Sequence, residues 1–250
     1  MKPFIKYPGG KLKEFSLVER FKPTNIKRYF EPFVGGGSIY FNINISNSFI
    51  NDKSEDLISL YNYVKNQDNE FFNYLYELNF LWKQLDINNE LNTNIINKEK
   101  FVSYTNKSLA LKSKRIQCLE NEGNKISNKD KENIKLTARK TAFYMCIRDI
   151  YNDQKENKQL HTACFYFIRE YCYSSMFRFS KNGNFNVPYG GRSYNLKCMT
   201  SKIKQMQSNE IILYLKNTII YNLDFEEFLN LFTLDSNDFI FLDPPYDSEF

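Results

Sequence analysis

Histidine is nearly absent from this sequence: His161 is the only one in 250 residues. A Ser-His-Asp hydrolase would have to be built on that one imidazole, and within "KQLHTACF" it reads as a helix-start or core residue. Cysteine is scarce too, and its pattern excludes more than its number does. Cys118, Cys146, Cys164, Cys172 and Cys198 are odd in number, form no Cys-x-x-Cys pair and sit among apolar neighbours. Neither a disulfide framework nor a metal site of the zinc-cluster kind is expected from them. No run approaches 18 consecutive apolar residues, and "MKPFIKYPGGK" has no long apolar stretch before its Pro-Gly-Gly. The chain is therefore expected to be a reduced, cytoplasmic protein that is neither secreted nor membrane-bound. No charge of one sign dominates either: a formal net charge of +5 permits a polyanionic partner without requiring one. What is abundant is apolar and aromatic material, 42% and 17% of the residues, enough for a large core.

The order of patterns along the chain points to an α/β fold. "RYFE" at 28 to 31 reads as a strand, "PFVGGGS" as a glycine turn, and "IYFNI" as the helix that the turn opens. A second strand, "SFI", ends at Asn51-Asp52. After it "SEDLISLYNYVKN" carries Leu57, Leu60, Tyr61 and Val64 at helical spacing. This β-α-β-α opening predicts a parallel sheet covered by helices. An apolar stripe of helical period fills residues 70 to 84 and then lapses into the Asn-rich "DINNELNTNIINKEK". Between Lys98 and Lys140 there are 12 Lys and Arg against 5 Asp and Glu, so the rest of the chain is close to neutral. Such a stretch is read as a solvated, partly flexible insertion or as a segment that touches phosphate. Helical period returns in "TARKTAFYMCIRDIYND" and "TACFYFIREYCYSSMFRF", and the loop "SKNGNFNVPYGGRSYN" follows. The last part reads as a helix ("KCMTSKIKQMQSN"), a strand ("TIIYNLD"), a helix ("FEEFLNLF") and a strand at 239 to 242. An α/β pattern interrupted by about 130 mostly helical residues predicts a doubly wound sheet with an inserted domain. The expected divisions are 1–65, 66–205 and 206–250.

Three stretches carry chemistry. In "EPFVGGGS" three glycines let a ligand approach the backbone, where a helix N-terminus offers unpaired N–H groups. Tight strand-helix packing is the alternative reason for the same glycines. Asp52 follows Gly35 by seventeen positions at the end of the second strand, where nucleoside-binding folds place an acid on ribose hydroxyls. Asp52-x-x-Glu55 also fits a capping box for the next helix. Last comes "DPPY", residues 243 to 246, at the carboxyl end of an apolar strand, where open parallel sheets bind ligands. Its prolines remove two N–H donors, so the carbonyls of Asp243 and Pro244 can act as acceptors in a stiff loop. An acid, a carbonyl and the face of Tyr246 suit a planar ring bearing an amino group. A delocalised amine needs alignment more than it needs a strong base.

Taken in order, "FIKYPGGK", "EPFVGGGS", "IND" before a helix, "MFRFSKNGNFNVPYGG" and "DPPY" resemble the Dam-type adenine-specific DNA methyltransferases that use S-adenosylmethionine. The resemblance runs from residue 4 to the end of Asp-Pro-Pro-Tyr. It implies a Rossmann-like class I methyltransferase sheet with an inserted, mostly helical DNA-recognition domain. It also implies methyl transfer to the 6-amino group of adenine in double-stranded DNA, in a restriction-modification system or other bacterial or phage DNA modification. Carried over position by position, it places Tyr7, Lys11, Glu31, Phe33, Gly35, Gly37, Asp52 and Asp243 on the cofactor. Asp243, Pro244, Pro245 and Tyr246 form the catalytic loop. Arg178, Lys181, Asn184, Asn186, Pro188 and Tyr189 fall on DNA, with Arg178 suited to a bidentate contact with guanine. The mechanism implied is base flipping and direct attack of the amine on the sulfonium methyl, with no metal, by a monomer whose restriction endonuclease partner is genetic rather than physical. This chain has Ser174-Ser175 where many relatives carry Asn-Gly, so the recognition sequence cannot be borrowed.

Rival readings fare worse. Cytosine carbon-5 methylation needs a nucleophilic Cys, typically after Pro, and the cysteines here follow Gln, Met, Ala, Tyr and Lys. Enzymes that methylate the cytosine amino group more often carry Ser before Pro-Pro-Tyr. Ribosomal RNA guanine methyltransferases lack "KYPGGK" and the large insertion. A non-catalytic DNA-binding remnant stays open because the family's sheet continues past Asp-Pro-Pro-Tyr. The C-terminal strands are then expected to be missing, the copy incomplete, and strand 239 to 242 left at an open, aggregation-prone edge.

Overall fold

A computed structural model describes residues 1–7, 9–87, 91, 93–123, 125–153 and 155–245. The chain divides into two compact units: Met1–Asn69 with the stretch from Lys202 onward, and Glu70–Ser201.

The first unit is built on a parallel sheet of four strands, β1 (Arg28–Glu31), β2 (Ser48–Asn51), β3 (Thr218–Tyr221) and β4 (Asp238–Ile240), in the order β3-β2-β1-β4. Tyr29 pairs with Ser48, Ser48 with Thr218 and Arg28 with Asp238, which brings all four carboxyl ends to one side. Strand alternation sends successive side chains of β1 to opposite faces. Phe30 packs with Phe49, Phe228 and Phe232 on one face. On the other, the Tyr29 hydroxyl donates to Glu31 Oε2 at 2.6 Å. Arg28 fixes the register of β4 by a two-pronged pair with Asp238, at 2.7 and 2.5 Å. β4 lies at one edge of the sheet, and it spans 238–240 rather than the expected 239–242.

Helices α1 (Phe15–Phe21), α2 (Tyr40–Ile43), α3 (Glu55–Asn66), α8 (Thr200–Met206), α9 (Asn209–Lys216) and α10 (Phe225–Asn230) accompany this sheet. α3 buries Leu57, Ile58, Leu60, Tyr61 and Val64 at i, i+3 and i+4 spacing and packs on α9 and β3. Its N-cap is Ser54, whose side chain accepts from Leu57 N. That corrects the capping-box reading of Asp52 and leaves its carboxylate for other work.

The second unit is helical: α4 (Asn69–Gln84) enters it, followed by α5 (Lys98–Asn121), α6 (Asn128–Asp153) and α7 (Lys158–Tyr171). Its core is aromatic. Trp82 is fully buried and meets Phe143, Phe167, Tyr171 and Tyr189. The basic stretch, read as a loose insertion or as a segment that touches phosphate, is an ordered and largely exposed antiparallel helical hairpin of α5 on α6. Tyr104 donates to Asp149 at 2.7 Å near one end, and Lys131 pairs with Glu120 at 3.2 Å near the other. The helix expected to run through 162 to 179 stops at Tyr171. Cys172 is extended, Ser174 and Ser175 are left-handed, and the buried Arg169 guanidinium takes the carbonyls of Ser175 and Met176 in place of a helical turn. No helix among the described residues is long and apolar enough to cross a membrane.

Candidate functional site

The glycine turn joins β1 to α2, and its conformation is one that only glycine adopts freely. Gly35 and Gly37 have φ of +49° and +73°. A Cβ on Gly37 would sit 2.6 Å from the Tyr61 hydroxyl and 2.8 Å from the Phe41 ring. On Gly36 it would meet Tyr7 Cβ at 2.9 Å. The turn is thus compressed between the N-terminal segment and α3, and the Tyr61 hydroxyl donates to the Gly35 carbonyl at 3.2 Å.

Asp52 closes the turn from the β2 side. Oδ2 accepts from Gly35 N at 3.0 Å, and Oδ1 accepts from Ser54 N at 2.9 Å. Each oxygen keeps a further lone pair for a ligand. Burial raises its pKa against the pull of those N–H donors. Beneath it Asn51 is fully buried and ties three segments together. Its amide donates to Pro32 O and Leu223 O at 3.1 and 3.0 Å, and its Oδ1 accepts from Leu223 N at 2.8 Å.

Glu31 ends β1 at 2% exposure, with the Tyr29 phenol as a donor. Burial pushes its carboxyl up to about 8, and the negative charges of Asp243 and Asp52 act in the same direction. A buried acid facing two more acids is an unfavourable arrangement that a cation would relieve. One cation already stands here: Lys11 Nζ lies 3.3 Å from Asp243 Oδ1. Asp243 follows β4, whose extension is held by Phe241 N donating to Phe30 O at 2.9 Å.

Tyr7, Lys11, Glu31, Phe33, Gly35, Gly37, Asp52 and Asp243 all belong to this first unit, around the carboxyl ends of β1, β2 and β4. Pro244 and Pro245 are exposed. Tyr246 lies outside the described residues. Sequence reasoning missed Asn51, although it stands inside the quoted "IND". It also missed Phe225, half-exposed with its ring centroid 5.3 Å from that of Phe33, and Asn222, whose amide donates to the Asp52 carbonyl at 2.8 Å. Asn222 and Phe225 flank the turn after β3 in "NLDF", a stretch that reads from sequence only as a strand end.

In the second unit the segment expected to read DNA is a short antiparallel hairpin. Phe179 bridges Phe185, Ser180 N donates to Asn184 O at 2.8 Å, and Gly183, at φ +77°, makes the turn. Phe177, Phe179 and Phe185 pack together on one face. α6 runs beside the segment and fastens it with residues about seven apart. Asp130 pairs with Arg192 at 3.2 Å, Thr137 accepts from Asn195 at 2.8 Å, Tyr144 donates to Val187 O at 2.8 Å, and Asn152 exchanges two bonds with Phe185. Arg178, Lys181, Asn184 and Pro188 are exposed, and Asn186 is partly so. Tyr189 is placed otherwise: it is 7% exposed, packs on Trp82 and Tyr144, and donates to Asn195 Oδ1 at 3.0 Å. Its ring holds the segment in place and faces away from solvent.

Among the described residues no three His, Cys, Asp or Glu side chains gather in a way that could hold a metal ion.

Comparison with known proteins bears on the whole arrangement. Residues 7–250 match the family model described as D12 class N6 adenine-specific DNA methyltransferase. The chain is 30% identical over 260 residues to the Type II methyltransferase M.MjaIII of Methanocaldococcus jannaschii, covering 98% of this chain and 69% of that protein. It is 25% identical over 252 residues to the Type II methyltransferase M.CviBI of Paramecium bursaria Chlorella virus NC1A, covering 100% of this chain and 71% of that one. Against the DNA adenine methylase of Escherichia coli strain K12 the identity is 26% over 187 residues, 75% of this chain and 47% of the relative. With the glycine turn, its acids and the Asp-Pro-Pro loop on one parallel sheet, and a match over nearly its full length, the chain belongs to the D12 class of N6 adenine-specific DNA methyltransferases.

Proposed function

We propose that this chain transfers a methyl group from S-adenosylmethionine to the 6-amino group of an adenine turned out of duplex DNA, with Asp243 as the acceptor that aligns the amine. The observation that carries the reading is the convergence of Asp52, Glu31 and Asp243 around the β1 turn, with Lys11 on Asp243.

The residues present fit S-adenosylmethionine. Asp52 has its carboxylate fixed by two backbone N–H donors, so it can accept from ribose hydroxyls without moving. Buried Glu31 matches the α-ammonium, and Gly35 to Gly37 leave backbone free of Cβ atoms beside it. Bound there, S-adenosylmethionine supplies a methyl group on a positively charged sulfur, open to attack from the side opposite that sulfur.

Everything else falls to the chain. Lys11 holds the Asp243 carboxylate by one oxygen, which sets the direction of the other. An amino N–H given to Asp243, and a second given to the carbonyl that the prolines leave unshielded, turn the nitrogen lone pair out of the purine ring; as the nitrogen–methyl bond forms the methyl–sulfur bond breaks to leave a neutral thioether, and the surplus proton of the amine is lost to solvent. The flipped base stacks on Tyr246. The proposed DNA contacts are Arg178, Lys181, Asn184, Asn186 and Pro188 on the hairpin and its return strand, with the second unit acting as an inserted recognition domain. The names of the two Type II relatives support a role beside a restriction endonuclease.

The test is methyl transfer from labelled S-adenosylmethionine to adenine-containing duplex DNA. Asp243→Ala should lower transfer by at least three orders of magnitude while the protein still binds duplex. Near-normal turnover in that variant would remove Asp243 from the mechanism. Absence of transfer by the parent chain, with duplex binding intact, would favour a DNA-binding protein without catalysis.

A further inference from the structure

Arg178 and Asn186 face each other across the recognition hairpin. Arg178 Nε donates to Asn186 Oδ1 at 2.8 Å, and Asn186 N donates to Arg178 O at 3.2 Å. Because Phe177, Phe179 and Phe185 occupy the packed face, alternation puts Arg178 and Asn186 on the other one. The packed face is immobilised from below. The Arg169 guanidinium lies 4.7 Å over the Phe177 ring, and Asn152 clamps the backbone of Phe185. An exposed arginine on such a ladder ordinarily samples many rotamers, and most of them point its guanidinium away from any one base edge. Here the Asn186 amide occupies Nε, the nitrogen that an end-on bidentate contact does not need. The two terminal nitrogens have no partner among the described residues, and they are the pair that fits the O6 and N7 acceptors of guanine.

We propose that Asn186 is a positioning residue for specificity: it fixes the Arg178 guanidinium in its base-reading orientation before DNA arrives, and contributes to the choice of base through Arg178 alone. This rests on the reading of the hairpin as the DNA-recognition element and adds to it which side chain sets selectivity and which one orients it.

The experiment is a double-mutant cycle on a randomised duplex pool. The protein-bound fraction is sequenced for the parent, Asn186→Ala, Arg178→Ala and the double variant, and methylated adenines are mapped in the same samples. We expect Arg178→Ala to erase the preference at one base position. Asn186→Ala should weaken that same preference about tenfold, with the loss falling more on KM than on kcat, and should add nothing once Arg178 is gone. Asn186→Asp, which keeps the acceptor for Nε, should restore most of the preference while lowering overall affinity for the polyanion. An equal loss from Asn186→Ala with or without Arg178, or a change at a different base, overturns the proposal. So does failure of Asn186→Asp to restore selectivity when its melting temperature matches that of the parent. Because selection of bound duplex is read independently of methylation, a parent that binds with a base preference but transfers no methyl group refutes the catalytic reading alone. A parent that methylates adenine but binds with no base preference refutes the positioning proposal and leaves the catalytic reading standing.

Discussion

At the scale of single residues, what was legible depended on whether a side chain announces its chemistry by type and spacing. Asp52 and Asp243 stood out as candidates, because each is an acid at the end of a strand, one after a glycine turn and one before two prolines, although Asp52 also fitted a capping box. Asn51 did not: an asparagine beside Asp52 at a strand end looks like turn composition, and only the fold shows it bonded to Pro32 and Leu223 at once. Glu31 was legible as a candidate for the site, but its protonation was not, since that depends on complete burial beside Tyr29, Asp52 and Asp243. Its carboxyl titrates near 8 when folded and near the usual 4.5 when unfolded. The folded protein therefore holds one more proton than the unfolded chain between those values. From this group stability falls as pH rises from 4.5 to 8, then levels off. A bound ammonium reverses the preference, so S-adenosylmethionine should displace that proton. Affinity should rise with pH up to about 8, by no more than tenfold per unit. Calorimetry at pH 6.5 and 8.5 in buffers of different ionisation heat checks this through the proton count. Glu31→Gln should flatten the dependence, and a slope that survives in that variant assigns it to another group.

Elements were legible where a one-sided apolar stripe met a clear stop. α3 fits that pattern, with Leu57, Leu60, Tyr61 and Val64 buried at helical period, whereas β1 and β2 are short runs buried on both faces that were legible by their stops, the glycine turn and Asn51-Asp52. α5 hid itself. Over its 24 residues Phe101 is its only buried side chain, and Val102 and Leu111 point outward, so little apolar period survives among the lysines. It is held by its partner α6 more than by a core of its own, which is why composition read it as a loose insertion. α1 buries nothing, and α9 is eight residues in a stretch with few turn signals, so neither stood out. The glycine turn is the element where local sequence and tertiary packing agree most closely. At Gly37 a left-handed φ and a full environment coincide, so Gly37→Ala strains the backbone and drives a methyl group into Tyr61 and Phe41. We expect a loss of about 2–4 kcal/mol of stability, the sum of left-handed strain and overpacking. Gly183→Ala, also left-handed but with nothing within 4 Å of its Cβ, should cost only about 1 kcal/mol from strain. Denaturant melts of the two variants give the comparison. Equal losses would show that the crowding around Gly37 relaxes at no cost.

On the scale of the whole molecule, the sequence showed an α/β pattern broken and resumed, because a parallel sheet must be entered again after any insertion. It did not show how self-sufficient the intervening helical stretch is. The second unit, Glu70–Ser201, is continuous in sequence and has a core of its own around Trp82, Phe143, Phe167 and Tyr171. Its buried charges are also answered from within. Lys140, fully buried, donates to Trp82 O at 2.7 Å, pairs with Asp86 at 2.9 Å and lies 4.1 Å over the Trp82 ring. Lys197 pairs with buried Glu170 at 2.9 Å. The hairpin that carries Arg178 is fastened to α6 inside the same unit. A unit whose core, buried ion pairs and hairpin anchors are all internal should fold alone. We expect residues 68–201, expressed separately, to melt in one cooperative step and to bind duplex DNA without S-adenosylmethionine. That binding should weaken steeply with salt, as phosphate contacts require. The first unit is assembled from two separated stretches and has no such expectation. Trp82→Ala should cost about 3–5 kcal/mol in both the excised unit and the full chain. If the excised unit fails to melt cooperatively, or if Trp82→Ala is costly only in the full chain, the second unit does not fold as an independent domain.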